Sequence, residues 1–468
     1  MRIPALLAAG LLFAGPASAT ERDSREGREA FSIYKSIVEM PTVKGRGQVP
    51  KMARALSAKL RAAGFAARDI EIVPVGETAG LIVTLRGTGA RAPLLFLAHM
   101  DVVEAKAADW ERDPFKLVEE NGFLFGRGTS DNKLGVAQLT AAFIRLKREG
   151  YKPDRDLILA FSGDEETDML SSQAIAERLS ARKPAFAVNS DSGGGRADAA
   201  GKPLALSVQV AEKTFANIEV TVRNPGGHSA RPRPDNAIYE LADLLGRLRG
   251  NRFPIVIDEV TLGMLRDSAA QPNAKPELRA AVAALAANPK DPAALDYLTR
   301  EQQLGSAFRT TCVPTLLSGG HADNALPQRA TVNINCRIFP GVPIEQVRSE
   351  LAAVGGNPEA EFRIAGTPLE APPSPANPEL FAALADAVAD RAPGVPIMMV
   401  MTPGATDGKH FRARGIPTYG TGGDFTRRGE DSNAHGLNER IPVARFFESL
   451  DFWPRLMRRL SGGAVAAS

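Results

Sequence analysis

The chain predicts an α/β fold, a mixed and mostly parallel sheet interrupted by an inserted ferredoxin-like unit, and three observations lead there. The segments LLFLAHMDVV, ending at Val103, and LILAFSGDEE, ending at Glu166, each run from apolar residues into imidazole or carboxylate; FAVNSD, ending at Asp191, repeats the pattern. Continuous apolar runs read as strands buried on both faces, and open α/β sheets carry their chemistry beyond the strands' carboxyl ends. From about Glu29 to Gln209 strand and helix patterns alternate, as parallel strands with crossover helices require. Further along, the predicted order is β-α-β-β-α-β, that of a ferredoxin-like unit.

The helix NKLGVAQLTAAFIRLKRE is the clearest element, with Asp131 at its mouth and Gly150 just beyond its end. A loop at GGGRADAAGKP marks a change of composition. The inserted unit then reads as the strand FANIEVTVR, the turn NPGGHSARPRP, a helix from Asp235 to about Arg249, the hairpin TCVPTLLSGG and ATVNINCRIF, the helix IEQVRSELAAV and the strand EFRIAG. Residues 251–308 exceed what such a unit requires and read as inserted helices. The helix PELFAALADAVADR and the strand region GIPTYG return the chain to the first domain. The expected division is therefore a leader over 1–19, a first domain over 20–210 and 369–468, and the insertion over 211–368.

A chain of 468 residues accommodates two domains with sizeable cores. Its formal charge of +3 comes without a long basic run, so neither nucleic acid nor an anionic membrane surface is suggested as a partner. At the N-terminus, Arg2, the apolar ALLAAGLLFAG and the small residues Ala17 to Ala19 have the layout of a secretory signal peptide, too short for a permanent span. Cleavage after Ala19 would give an exported protein, periplasmic or secreted, with no integral membrane span; an uncleaved tether is the alternative. The two cysteines, Cys312 and Cys336, flank the hairpin. They pair if the register sets them opposite in an oxidising compartment, or are two small buried side chains.

The chemistry gathers at the strand ends. His99 and Asp101 lie close enough for the acid to fix the tautomer of a metal-bound imidazole. Asp131 suits a helix cap, yet one carboxylate can cap and ligate at once. Glu165 and Glu166 are adjacent and diverge from an extended segment, so that one can ligate while the other remains a free base. Asp191 and the late His435, in HGLNE, complete an inventory of imidazoles and carboxylates typical of a two-metal hydrolase. Each residue alone reads more simply as a cap or a solvated acid; it is their recurrence at independent strand ends that points to a site. Gly126 and Gly128 do not form a phosphate loop, because no Lys-Ser/Thr follows. No GxSxG elbow supports a serine hydrolase.

With LAHMDVV, GRGTSDNKLG, GDEE, GGHSARP and HGLNE in this order from about Glu29 to the C-terminal region, the chain resembles the di-zinc metallopeptidases that include glutamate carboxypeptidase, aminoacylase, carnosine dipeptidase and succinyl-diaminopimelate desuccinylase. The resemblance implies that Asp131 bridges two zinc ions, with His99 and Asp191 completing one site and Glu166 and His435 the other. Nitrogen and oxygen donors suit zinc, and cobalt or manganese could substitute. Glu165 would be the general base and Asp101 the residue orienting His99. The insertion would be a dimerisation or lid domain whose His228 reaches the partner's site in a homodimer. Asn324 and Arg337 would hold a substrate carboxylate, and the loop Thr406, Asp407 and Gly408 would close the pocket. The implied activity is hydrolysis of an amide bond in short peptides or N-acyl amino acids. A narrow metabolic deacylase and a non-catalytic peptide-binding protein are the alternatives, and the presence of Glu165 speaks against the second. The pattern departs from the family where Asp191 replaces a common Glu, where Thr167 and Asp168 follow the acidic pair, and where Asn335 replaces a common Asp; none of these removes a ligand.

Overall fold

The computed structural model describes residues 21–463; the expected leader, residues 1–19, lies outside the described residues. In chain order the principal strands begin with β1 Ile70–Val75, β2 Thr78–Leu85, β3 Leu94–His99, β4 Leu157–Ser162, β5 Phe186–Asn189, β6 Gly194–Ala197 and β7 Pro203–Glu212. A separate sheet takes β8 Thr214–Arg223, β9 Thr311–Gly319, β10 Arg329–Ile338 and β11 Glu361–Ala365, after which β12 Ile397–Thr402, β13 Thr418–Gly420 and β14 Phe425–Arg427 return to the first. The large sheet has the order β1-β2-β4-β3-β5-β13-β7-β6-β14, with β12 beside β7. Its centre is parallel: β3 runs alongside both β4 and β5, and β5 alongside β13. Antiparallel pairs lie at β1–β2 and β2–β4 on one side and around β7 on the other.

Every residue of β3, β4 and β5 is buried, which is what their unbroken apolar sequences require. Because the three strands are parallel and His99 pairs with Ser162 while Leu97 pairs with Asn189, their carboxyl ends arrive together. The helix Lys133–Arg148 packs against this sheet, burying Leu134, Val136, Leu139, Phe143 and Leu146. It begins one residue later than the sequence suggests, with Asn132 at the cap position and no side-chain cap bond. Asp131 is thereby free of the helix. Gly135 lets the first turn press onto the end of β5: a Cβ there would lie 2.1 Å from Ser190 Oγ and 2.2 Å from Asn132 Oδ1.

The second sheet is antiparallel throughout, in the order β9-β10-β8-β11, and the helices Ala237–Arg249 and Ile344–Gly355 complete the ferredoxin-like succession. Its core joins Ile218, Val220, Leu241, Leu244, Ile334 and Val347. Cys312 and Cys336 face each other across β9 and β10 and are disulfide-bonded, which decides between the two readings of these residues. β9 is an edge strand whose Val313, Leu316 and Leu317 are 58%, 72% and 70% exposed.

The crossing from one sheet to the other takes a single residue, Lys213, between the end of β7 and the start of β8. Its ammonium is buried and donates to the carbonyls of Ser306 and Arg309 at 2.6 Å each. Those carbonyls end the inserted helices Glu259–Ala270, Pro276–Ala287, Pro292–Arg300 and Gln302–Ala307, which have their own core of Leu265, Leu285, Leu298 and Phe308. The insertion also leans on the first domain. Met264 sulfur accepts from the Met401 N–H at 3.4 Å, and Arg196 forks onto Asp267 at 2.7 and 2.8 Å.

Candidate metal centre

His99, the last residue of β3, is fully buried, and its Nε2 lies 2.8 Å from Asp131 Oδ1 and 3.3 Å from Asp191 Oδ1. The other oxygen of Asp131 lies 3.1 Å from His435 Nε2, which is 2.8 Å from Glu166 Oε1. Asp131 therefore stands between two imidazoles, one oxygen toward each. Three overlapping groups result: His99, Asp131 and Asp191; Asp131, Glu166 and His435; and His99, Glu165 and Glu166. In each, one ligand atom per residue lies within 4.8 Å of the others.

The cluster is electrostatically unbalanced. Burial pushes Glu165 up to about 10, opposed by the charge of His99 and reinforced by Asp191, Asp407 and Glu166. Burial likewise lifts Asp191 to about 6. Burial works to raise Asp131 too, but hydrogen bonds with His435 and His99 outweigh it and hold its pKa below the usual range. Hydrogen bonds with Asp131 and Glu166 carry His435 up to about 10. Imidazoles and carboxylates without thiolates, crowded together under this repulsion, are a donor set that fits divalent cations. Divalent cations held there would neutralise the carboxylates.

The geometry shows how three of the expected residues are held. The Asp101 carboxylate accepts from the backbone N–H groups of Glu165 and Glu166, both at 3.0 Å. His99 Nδ1 meets the Asp101 backbone oxygen at 3.1 Å, with the carboxylate at 3.5 Å. Asp101 thus orients His99 mainly through its main chain, and its acid shapes the turn that carries the two glutamates. Asp407 is buried beneath the site, where its carboxylate accepts from the hydroxyls of Ser162, at 2.6 Å, and Ser172. Thr406 is buried as well, donating to Glu212 Oε1 at 2.5 Å and accepting from the Gly408 N–H at 3.1 Å. This loop is tied into the floor of the site, its acid engaged by the two serine hydroxyls.

The insertion's residues do not join the cluster within this chain. His228 is exposed in the short ladder Gly227–His228 with Ala325–Leu326, its Nδ1 accepting from the Ala230 N–H at 3.0 Å. Asn324 is exposed next to it, its carbonyl accepting from the Ser229 N–H at 3.0 Å. Arg337, on β10, lies over the Phe215 ring at 4.9 Å and donates to the Pro403 carbonyl at 3.3 Å, so it already reaches toward the first domain.

Two further residues shape the centre and escape a reading of the sequence. Asn132 donates to Asp191 Oδ1 at 2.7 Å, and Glu439, fully buried, accepts from the Asp131 N–H at 3.0 Å. Glu439 lies inside the HGLNE motif, but nothing in its neighbours' types separates it from a surface acid.

Comparison with known proteins agrees with this geometry. The family model described as Peptidase family M20/M25/M40 matches residues 95–459. The human N-fatty-acyl-amino acid synthase/hydrolase PM20D1 is 29% identical over 387 residues, covering 79% of this chain and 75% of its own. Carboxypeptidase S of Saccharomyces cerevisiae is 28% identical over 284 residues, 58% of this chain and 49% of its own. Among solved structures, an M20 metallo-carboxypeptidase from Sulfolobus solfataricus superposes with a TM-score of 0.67 at 18% identity, covering 92% of this chain and 99% of its own. Human carnosine dipeptidase 1 superposes at 0.59 and 16% identity, covering 95% and 98%.

Proposed function

Because the chain belongs to peptidase family M20/M25/M40, a family of metal-dependent hydrolases, we propose that it is an exported di-zinc amidohydrolase acting on short peptides or N-acyl amino acids that carry a free carboxylate. One observation supports this most: Asp131 stands between His99 and His435 with a different oxygen toward each, so two ligand sets share one carboxylate. Two divalent cations in such a pair supply Lewis acidity, acidifying water and polarising a scissile carbonyl.

The remaining work falls to the chain. His99, Asp131 and Asp191 would hold one cation, and Asp131, Glu166 and His435 the other. Glu165 is 6% exposed and belongs to no ligand pair that the two sets require; it would take the proton of the attacking water and return it to the leaving amine. Asp101, by gripping two consecutive N–H groups, would keep Glu165 and Glu166 pointing apart. Cobalt or manganese could replace zinc. Export rests on the leader pattern in residues 1–19; among the described residues no helix is long and apolar enough to cross a membrane.

His228 would act from a partner chain in a homodimer, a reading supported by its exposure and by the apolar, unpaired edge of β9, and Asn324 would help to hold the substrate carboxylate. Arg337 would bind the substrate carboxylate, since its planar fork matches that group and stays charged. The test compares dipeptides and N-acyl amino acids with their C-terminal amides. The free acids should be preferred, and Arg337→Ala should erase about 10–100-fold of kcat/KM toward the acids while leaving the amides nearly unchanged. Equal hydrolysis of acid and amide by the unmodified protein would remove Arg337 from the site.

A further inference from the structure

We infer that Glu439 is a positioning residue that sets Asp131 and His435, two ligands of the same metal subsite, with one buried carboxylate; the inference rests on the two-metal reading above. Its side chain is 0% exposed and surrounded by donors. Oε2 accepts from Arg127 Nη1 at 2.8 Å and from the Gly128 N–H at 2.9 Å, while Oε1 accepts from the N–H groups of Ser130 at 2.7 Å and Asp131 at 3.0 Å. All four partners are N–H donors, two at each oxygen, so the pocket is built for a side chain that accepts at both oxygens.

Two loops are joined at this point. One, residues 126–131, ends in Asp131. The other, residues 433–439, carries His435 and has little regular structure to hold it: Asn433, His435 and Asn438 all have positive φ, at 51°, 62° and 53°. Left-handed backbone at non-glycine residues persists where surrounding contacts determine it. The contacts here run between the loops, since the Glu439 carbonyl accepts from the Gly126 N–H at 3.0 Å and the Gly436 carbonyl from Arg127 Nη2 at 2.9 Å. His99 and Asp191 are placed differently, at the ends of β3 and β5, and do not depend on this seam. Glu439 should therefore affect the subsite of Asp131, Glu166 and His435 more than its neighbour.

A Gln at 439 has nearly the same shape, yet its amide nitrogen would oppose N–H donors; an Asp is shorter but accepts at both oxygens. The experiment loads the protein with cobalt(II) and follows its visible absorption while a chelator is added. The unmodified chain should release two ions in separable steps. Glu439→Gln should weaken one step roughly 10–100-fold, the usual effect of losing a partner of a metal ligand, and alter its absorption band, while the other step changes less. Glu439→Asp should recover part of the loss. A Glu439→Gln protein with unchanged melting temperature and both steps unchanged would overturn the inference. If Glu439→Gln cannot be recovered folded, Arg127→Gln, which leaves the three backbone bonds in place, is read in the same way: a weakened step supports the inference and two unchanged steps overturn it. Fewer than two ions on the unmodified chain would instead sink the two-metal reading itself.

Discussion

Glu165 sits in the turn after β4 with its backbone N–H on Asp101 and its acid among other carboxylates, and that placement separates it from Glu166, which turns to His435. Glu165→Gln should retain both metal ions and lose about 100–10,000-fold in kcat, the range expected for a general base; near-normal turnover would assign the base elsewhere. Asp407 allows a cleaner test of electrostatics because its acid is engaged by Ser162 and Ser172. Burial, partly offset by those serine hydroxyls, lifts it from 3.8 to about 7 in the metal-free protein. An acid raised in the folded state contributes stability that is full below its unfolded pKa and lost as pH rises through the folded value. In metal-free protein, Asp407→Asn should thus gain melting temperature relative to the unmodified chain between pH 4 and pH 8. A difference independent of pH would refute the burial argument. Of the clustered residues, His99, Glu166 and Asp191 stand out in the sequence because each closes an apolar run, whereas Asp131 and His435 follow polar segments and are marked only by the motifs around them. The partners of Asp101, Asp407 and Glu439 were not legible there, since they are set by loops that meet only in the folded chain.

Elements show the same division. β3, β4 and β5 were readable because strands buried on both faces leave no polar alternation, and the ferredoxin-like order followed from short strands separated by turn residues. The start of the helix Lys133–Arg148 was misplaced because Asp131 fits a cap equally well, and only the close approach at Gly135 shows why the chain turns later. The inserted helices were detectable as surplus length, but their seat against β12 was not, since it depends on contacts such as Met264 with Met401. At β9, Leu316 and Leu317 stand exposed on an unpaired edge, a surface that monomeric proteins usually protect with charge. Replacing both with Lys should convert a dimer to monomers in sedimentation velocity and, if His228 acts from the partner, reduce hydrolysis with it. A dimer unaffected by both lysines would place the interface elsewhere.

For the whole molecule, two sheets meet at Lys213 and, on the return, through the Ser374 N–H, which donates to the Val210 carbonyl at 2.8 Å. The junction is therefore buried and hydrogen-bonded, with the carboxylate cluster at the strand ends of one sheet and Arg337 reaching from the other sheet to the Pro403 carbonyl of the first domain. The central claim is that the clustered acids exist to hold two cations and that hydrolysis depends on them. Its most direct test is to titrate rigorously metal-free protein with zinc while measuring hydrolysis of a dipeptide or N-acyl amino acid. Activity should be negligible without metal and reach its maximum at about two ions per chain, the stoichiometry of a two-metal site. Full hydrolysis by the metal-free protein would contradict it.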